Sequence, residues 1–572
     1  MNLNTMQEIY RKRPFKTRNA DEYNLSDILS LFVNPIEGLR SPVDFENAII
    51  KGRMGSGKTM FLRANYAYYL FNIIPRLIER EELILPVFIR LSDFQHIKEP
   101  AEIYRQLVIK IVEEISTIYL KLQDMKSMSN IHNGMKNIPS DIYFDDKIRA
   151  TAKQLLKLGS DEYVEKLTTE FGIGSEFKYS FFSASAKINQ TNVVEIKKKQ
   201  NPGINDVVAI YDILLKDTNG KILLLIDEAG SLDRQFFKDD NNDSFFEIFM
   251  NQLRTANFIR TKIAVYPNSY SDILTETRYG DIVQLEEDIN SKESYLNFRQ
   301  KVELIIFNYL NFDFYGTDEN EKISVDSLFD CNVNKMGDCI EQLINGSAGN
   351  YRRLIHLLDQ ALNEAYVTNK GLEKVSIEDA ITALNNHCQS ILTLFSAPEK
   401  EFIHSIAKVC KNRSTYRFKF PNNGQILFKY LSKSQEYNIL NILESGSGRK
   451  GTTYSFDYSY CIHQDLTSHL IVGSEKIDKD RSYVNGDWVT RNVTIDDELI
   501  RQAEMPGKIK GKFDFINDGS GFIKDENGSQ YFFRSDYIVE ADKNKYKNLG
   551  KEIIFYPWKN GDILIATEIE II

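Results

Sequence analysis

Apolar residues fall along the chain in two rhythms: short unbroken runs, and longer stretches spaced as one face of a helix. The two alternate through the first half. Ala48-Ile49-Ile50 is a short apolar strand that enters a glycine-rich turn and then the helix-like run TMFLRANYAYYLFNII. LILPVFIRL at 83–91 reads as a second strand, followed by EIYRQLVIKIVEEISTIYLKL with apolar positions at helical spacing. After a looser stretch the alternation resumes with VVAIYDILL, the run KILLLIDEAG at 221–230, a helix around SFFEIFMNQLRTA, the strand TKIAVY at 261–266 and DIVQL at 281–285. Strands alternating with helices predict a parallel sheet covered on both faces. The looser stretch, about 120–205, holds FKYSFFSASAKINQTNVVEIKKK, whose alternation suits a β-hairpin, and reads as an insertion into a first unit spanning 1–290.

Residues 291–395 read as helical, through NFRQKVELIIFNYLNF, MGDCIEQLI and NYRRLIHLLDQALNEAY, and suit a lid over the sheet. From 396 to 475 the helix APEKEFIHSIAKVCKN precedes shorter helices and the aromatic alternating stretch TTYSFDYSYCIH. The polar stretch 476–507 reads as a linker. Residues 508–572 carry short strands with turns at NDGSG, ENGS and KNGD, the pattern of a small all-β barrel.

A chain of 572 residues exceeds what one core supports, which predicts three to five domains of about 100–200 residues each. With 27% charged residues and no stretch near the roughly 20 apolar residues that span a bilayer, no membrane segment is expected. The start, MNLNTMQEIYRKRPFKTR, lacks the apolar run of a secretory signal, so a cytoplasmic chain is expected. Cys331, Cys339, Cys388, Cys410 and Cys461 are scattered, without metal-ligand spacing, and read as buried thiols. A net charge of −10 opposes wrapping duplex DNA over the whole surface, so any nucleic-acid site is local.

The chemistry concentrates in Gly52-Arg53-Met54-Gly55-Ser56-Gly57-Lys58-Thr59, which fits GxxxxGK(S/T) between a strand and a helix. Glycines at 52, 55 and 57 let successive N–H groups, Ser56 among them, curl around a phosphate, and the helix that begins near Lys58 adds the positive end of its dipole. Lys58 is expected to bridge β- and γ-phosphates of ATP, and Thr59 to give an oxygen ligand to Mg²⁺. In KILLLIDEAG, Asp227 and Glu228 emerge at the end of a buried strand. Asp227 is placed to hold Mg²⁺ through water, and Glu228 to orient or deprotonate the attacking water. A slow, regulated ATPase is the expected enzyme. No Ser-His-Asp or nuclease-like constellation stands out, so the chain's own chemistry is expected to stop at ATP.

This combination resembles the AAA+ and STAND superfamily over about residues 35–395, and within it the replication-origin-recognition initiator-like ATPases. The resemblance implies an α/β fold: a P-loop NTPase parallel sheet with a helical lid, followed by a winged-helix-like domain at 396–475. Gly349-Asn350-Tyr351-Arg352-Arg353-Leu354 looks like the second-sensor motif, which makes Arg352 the arginine that reaches the γ-phosphate. Asn268 stands where the family has its first polar sensor, although Tyr266-Pro267 departs from the usual pattern. Arg278, ahead of DIVQL, occupies the position of an arginine finger presented to a neighbouring subunit, which implies a homo-oligomer.

The segment 396–475 holds ten Lys/Arg against seven Asp/Glu, and Arg449-Lys450 beside glycines suits a wing tip on DNA phosphates. GKFDFINDGSGFIKDENGSQYFFRSDYI resembles a cold-shock domain, an OB-type barrel that stacks single-stranded bases on aromatic rings. The resemblance places Phe515, Phe522 and Phe532 at stacking positions and Arg534 where the family has a histidine; Ile516 and Ser520 replace family aromatics. The expected function is therefore an ATP-driven switch that senses or remodels single-stranded DNA or RNA, or duplex DNA. Fold-level analogy adds a role in prokaryotic defence or a mobile element, with a separate effector protein. Two other readings stay open: a regulatory scaffold with a structural nucleotide, and a replication initiator that binds duplex DNA.

Overall fold

The computed structural model describes residues 3–122 apart from 37–39 and 72–81, residues 204–266 apart from 215–219, 233 and 238–243, and residues 280–420 apart from 287–288, 290–291, 313–321, 334–336 and 414. Beyond these it describes 425–432, 438–444, 452–466, 483–484, 487–488, 493–495, 507–517, 519–539, 542, 550–560 and 563–572. The expected insertion falls, but for its ends, outside the described residues, and its hairpin lies wholly outside them.

Helices α1 (Leu3–Lys12) and α2 (Leu25–Leu31) precede a sheet of five parallel strands: β1 (Ala48–Lys51), β2 (Ile84–Arg90), β3 (Lys221–Asp227), β4 (Ile259–Val265) and β5 (Asp281–Gln284). Their order is β2-β3-β4-β1-β5. Continuous apolar strands need cover on both faces. It comes from α3 (Lys58–Phe71), α4 (Pro100–Leu122), α5 (Ile204–Leu214) and α6 (Phe245–Thr255), and one core joins Ile49, Leu62, Val87, Leu224, Phe246 and Ile263. Ser244 starts α6 with a reciprocal cap, its hydroxyl accepting from Glu247 N at 3.2 Å while Glu247 Oε2 accepts from Ser244 N at 3.0 Å.

The helices α7 (Lys292–Leu310), α8 (Cys339–Ser347), α9 (Tyr351–Asn369) and α10 (Ile377–Leu392) build a second body that does not end at residue 395. Helix α11 (Ala397–Asn412), β6 (Arg417–Phe420), α12 (Gln425–Ser432), β7 (Leu440–Glu444) and β8 (Thr452–Phe456) continue its core, in which Phe298, Leu343, Leu358, Ile391, Phe402 and Phe418 are joined. Three departures from the sequence reading follow. Met6, Ile9 and Tyr10 lie on one face of α1 and pack into this second core, so the chain's start belongs with the lid helices rather than with the sheet. The stretch TTYSFDYSYCIH alternates only as far as Phe456; the Asp457 side chain accepts from Ser459 N and starts a helix, α13 (Tyr458–His463). The stretch read as a linker contributes a small antiparallel pair, β9 (Tyr483–Val484) with β10 (Asp487–Trp488). Its β11 (Val493–Thr494) pairs with β6 in a sheet ordered β11-β6-β8-β7, with Val493 and Ile495 buried.

The expected small barrel is present and closed. Strands β12 (Ile509–Asn517), β13 (Ser520–Asp525), β14 (Gln530–Arg534), β15 (Glu552–Asn560) and β16 (Ile563–Ile571) run in the order β12-β13-β14-β16-β15, with only β14 and β16 parallel. Phe513, Ile523, Phe533, Ile553 and Phe555 fill it. The pairing of β12 with β13 slips between Phe513 and Phe515, which turns Phe515 outward although Phe513 points in. Gly521 permits this, since a Cβ there would lie 2.0 Å from Phe515 O. The barrel rests on the second body through Tyr556 against Phe402, ring centroids 6.3 Å apart, and Glu568 paired with Lys429 at 3.3 Å.

All five cysteines are free; four are buried and Cys331 is only half-buried, against the expectation for that residue. Among the described residues no helix is long and apolar enough to cross a membrane.

Candidate functional site

Strand β1 lies between β4 and the edge strand β5, and at its end the chain turns through Gly52–Gly57 into α3, whose first residue is Lys58. Gly55 has φ 82°, and a Cβ there would stand 2.4 Å from Oδ1 of Asn350, so both the backbone sign and the close approach require glycine. The loop is held from two sides. Arg53 N donates to Glu286 Oε1 at 2.7 Å, and the Arg53 guanidinium meets the same oxygen at 2.9 Å. From the lid, Asn350 Nδ2 donates to Met54 O at 2.6 Å and Arg352 N to Gly55 O at 3.1 Å. Lys58 Nζ donates to the carbonyls of Gly52 at 2.6 Å and Arg53 at 2.7 Å, with the ring of Tyr266 4.2 Å away.

Asp227 ends β3, and its Oδ1 accepts from Glu228 N at 2.8 Å. Its Oδ2 and the Oγ of Ser56 are both buried with no hydrogen-bond partner among the described residues. A buried polar atom left unpaired costs about 1–3 kcal/mol, and both atoms belong to residues that line one cavity. Burial pushes the Asp227 carboxyl above its ordinary range. The Thr59 hydroxyl and the Glu228 amide pull it back, and the carboxylates of Glu228 and Asp21 push it further up. The hydroxyl of Thr59 and the carboxylate of Asp227 are hard oxygen donors of the kind Mg²⁺ takes, and a bound cation would favour the ionised carboxylate. Glu228 has φ 59° and ψ 38°, a left-handed conformation that costs a non-glycine residue roughly 1–2 kcal/mol.

Because β4 lies between β1 and β3, the residue at its end reaches between the loop and the carboxylates. That residue is Tyr266. Gly230 backs its ring, since a Cβ on Gly230 would come within 2.3 Å of it.

Loop, carboxylates and lid enclose a cavity of about 270 Å³. Gly55, Ser56, Gly57, Lys58, Thr59, Asp227, Glu228 and Arg352 line its polar end, and Tyr23, Leu31, Phe32, Val33, Ile305 and Tyr309 its apolar end. The wall from Arg18 to Tyr23 is pinned from both bodies. Arg63 donates to the carbonyls of Ala20 and, at 2.8 Å, Tyr23; Arg90 pairs with Asp21 at 2.5 Å; Arg18 meets buried Asp359 of the second body at 4.0 Å, beside Arg13, which pairs with the same carboxylate at 2.6 Å. One end of the cavity therefore suits an anion and a cation together, the other a flat apolar group.

The structure thus brings together every residue the sequence assigned to the phosphate loop and to the end of β3, with Gly52 at the base and Arg352 facing them. Asn268, Arg278, Arg449 and Lys450 lie outside the described residues. Phe515, Phe522 and Phe532 form a row on the barrel, since Phe515 pairs with Phe522 and Phe522 with Phe532 in register. Phe515 is 52% exposed and Phe522 39%, the rings of Phe522 and Phe532 stand 5.9 Å apart, and Arg534 is exposed at the end of β14. Sequence reasoning missed Tyr266, Glu286, Asn350 as a loop contact, and the wall at 18–35. Asn350 alone carried a signal, a capping residue ahead of a helical run.

No family model matches this sequence. Among curated proteins the chain is similar to the bifunctional polymyxin resistance protein ArnA of Wigglesworthia glossinidia brevipalpis, 22% identical over 228 residues, which is 38% of this chain and 33% of that protein. The chain thus matches a third of that relative's length. Among solved structures it is similar to the Aeropyrum pernix ORC2 protein in its ADPNP-ADP complexes, at 10% identity and TM-score 0.28, over 75% of this chain and 88% of that one.

Proposed function

We propose that the chain binds ATP with Mg²⁺ in the cavity beneath α9 and hydrolyses it slowly, as a switch for nucleic-acid-binding modules nearer its C-terminus. One observation carries this: the loop 52–59, the end of β3 and the first turn of α9 converge on a single cavity, which Ser56, Lys58, Thr59, Asp227, Glu228 and Arg352 line together. The N–H groups at the start of α3 face anionic oxygens, with the helix dipole behind them. Lys58, released from the Gly52 and Arg53 carbonyls, neutralises the β- and γ-phosphates. Thr59 and Asp227 hold the cation, whose charge offsets that of the phosphates. Glu228 orients or deprotonates the attacking water, and Arg352 reaches the γ-phosphate from the lid. Asn268 acts as a polar sensor and Arg278 as a finger toward a neighbouring copy, which makes the working form a homo-oligomer.

Beyond the lid, the helices and sheet from α11 to β8 form a winged-helix-like unit, with Arg449 and Lys450 on duplex phosphates. The barrel is of OB type, and Phe515, Phe522 and Phe532, with Arg534 beside them, stack single-stranded DNA or RNA.

The test is nucleotide binding and phosphate release by the purified full chain. Lys58→Ala is expected to abolish binding; Glu228→Gln is expected to keep binding and trap ATP. Unaltered hydrolysis in either variant refutes the assignment. Tyr266 favours a second reading, a regulatory scaffold with a structural nucleotide. Its ring stands in the cavity wall 4.2 Å from Lys58 Nζ, where a small polar side chain would help hold the attacking water. Tight binding without phosphate release, with or without nucleic acid, would select that reading.

A further inference from the structure

Arg352 and Arg353 are neighbours that do different work. Arg352 lines the cavity, whereas Arg353 is 6% exposed and grips the body behind it. Its Nη1 donates to Asp457 Oδ2 at 2.8 Å, and its Nη2 to Asp457 Oδ1 at 2.6 Å and to Ser459 Oγ at 2.9 Å. Asp457 is 1% exposed and caps α13, accepting from Ser459 N at 2.9 Å. Beside it, Tyr458 OH donates to Gln342 on α8 at 2.5 Å. On the opposite side, Asn350 holds Met54 O and accepts from Arg353 N at 3.0 Å. One turn of α9, residues 350–353, is therefore bonded in front to the phosphate loop and behind to α13.

A buried two-pronged ion pair fixes direction as well as distance, and its contribution lies more in specifying one arrangement than in net stability over an apolar packing. Arg353 has a third hydrogen bond, to Ser459, that pins the register further. We propose that Arg353 is a positioning residue: through Asp457 and Ser459 it sets Asn350 and Arg352 against the phosphate loop, and it transmits any shift of that turn to α13 and the sheet β6–β8. Nucleotide in the cavity and the arrangement of the unit beyond the lid are then coupled, each biasing the other equally. This rests on the nucleotide-binding reading above.

The test uses the full chain with Mg²⁺ and a fluorescent non-hydrolysable ATP analogue, measuring affinity together with hydrogen exchange of segments 52–59 and 452–466. In the parent protein, saturating analogue is expected to slow exchange in both segments. Asp457→Asn is expected to weaken binding about five- to tenfold, keep the protection of 52–59 at saturation and lose the response of 452–466. Because removing one partner of a buried pair can unfold a chain, Ser459→Ala is run beside it; it keeps the ion pair and is expected to reduce the same response. Affinities within about twofold and an unchanged response of 452–466 in the folded variants overturn the coupling while leaving the nucleotide reading intact. So does a parent protein that binds the analogue without any response at 452–466. No binding by the parent protein removes the nucleotide reading itself, and this proposal with it.

Discussion

The side-chain amide of Asn350 spans two elements, donating to the Met54 carbonyl at 2.6 Å while its oxygen accepts the N–H of Arg353 at 3.0 Å. The same residue therefore caps α9 and ties the helix to the phosphate loop. Asn350→Ala is expected to lower stability by about 1 kcal/mol for the lost cap and to weaken nucleotide binding. Asn350→Asp keeps the acceptor and loses the donor, so it should recover the stability and not the affinity. Thermal melts beside nucleotide titrations separate the two roles.

Tyr266 reaches its place because Gly230 leaves room beneath it. Gly230→Ala would put a methyl group within 2.3 Å of the ring and drive it toward Lys58, whose Nζ is already 4.2 Å from its centroid. Weaker nucleotide binding is the expected outcome, and the double variant Gly230→Ala with Tyr266→Ala should regain affinity. A double variant no better than the single one contradicts this steric account.

Stability should fall in mild acid. His356 and His387 pack 5.4 Å apart between α9 and α10. Burial, with Arg18 and then Arg353 nearby, pushes His356 down to about 4 from 6.5 against the opposing pull of Asp359; His387 is pushed well down as well, by burial and then by Arg353. Between those values the unfolded chain binds protons that the folded chain does not. The stabilisation is thus complete above about pH 6.5 and is lost as pH falls toward 4, at a cost on the order of 1–3 kcal/mol for partly exposed His356. Urea unfolding from about pH 7 to about pH 5 should show this slope, and His356→Gln should flatten it.

On the barrel, inward and outward phenylalanines separate stability from binding. Phe522→Ala removes a half-exposed ring and is expected to weaken single-strand binding by about 1–3 kcal/mol with little change in melting. Phe533 is fully buried, so Phe533→Ala is expected to cost about 3–5 kcal/mol of barrel stability. Equal single-strand affinity before and after the Phe522 change would point to a protein-contact role for the face.

Much of the layout was legible because strong local signals coincide with burial. The runs of β2 and β3, the turns flanking the barrel strands and the helical faces of α3 and α9 follow directly from side-chain period. The polar end of the cavity was equally legible, since GRMGSGKT and the end of KILLLIDE carry their chemistry in adjacent residues. Non-local pairing was not. Glu286 holds Arg53 across 233 positions of chain, and Asp457 holds Arg353 across 104; nothing in the neighbourhood of either residue announces such a partner. The apolar end of the cavity was missed for a related reason. Its N-terminal wall is mixed in sequence and becomes one surface only when α1 docks on the lid and Arg63 and Arg90 draw in residues 20–23.

The aromatic row runs from β12 through β13 to β14, at right angles to the strands, so its spacing is set by the hydrogen-bonded separation of strands, about 4.8 Å. An extended polymer lying on it must cross the barrel's grain and meets one ring per strand. After three rungs the ladder ends, where β16 takes over and lies parallel to β14. If the proposed stacking holds, a footprint this short would give a single copy a brief grip, and a durable one would require several barrels side by side on the same strand.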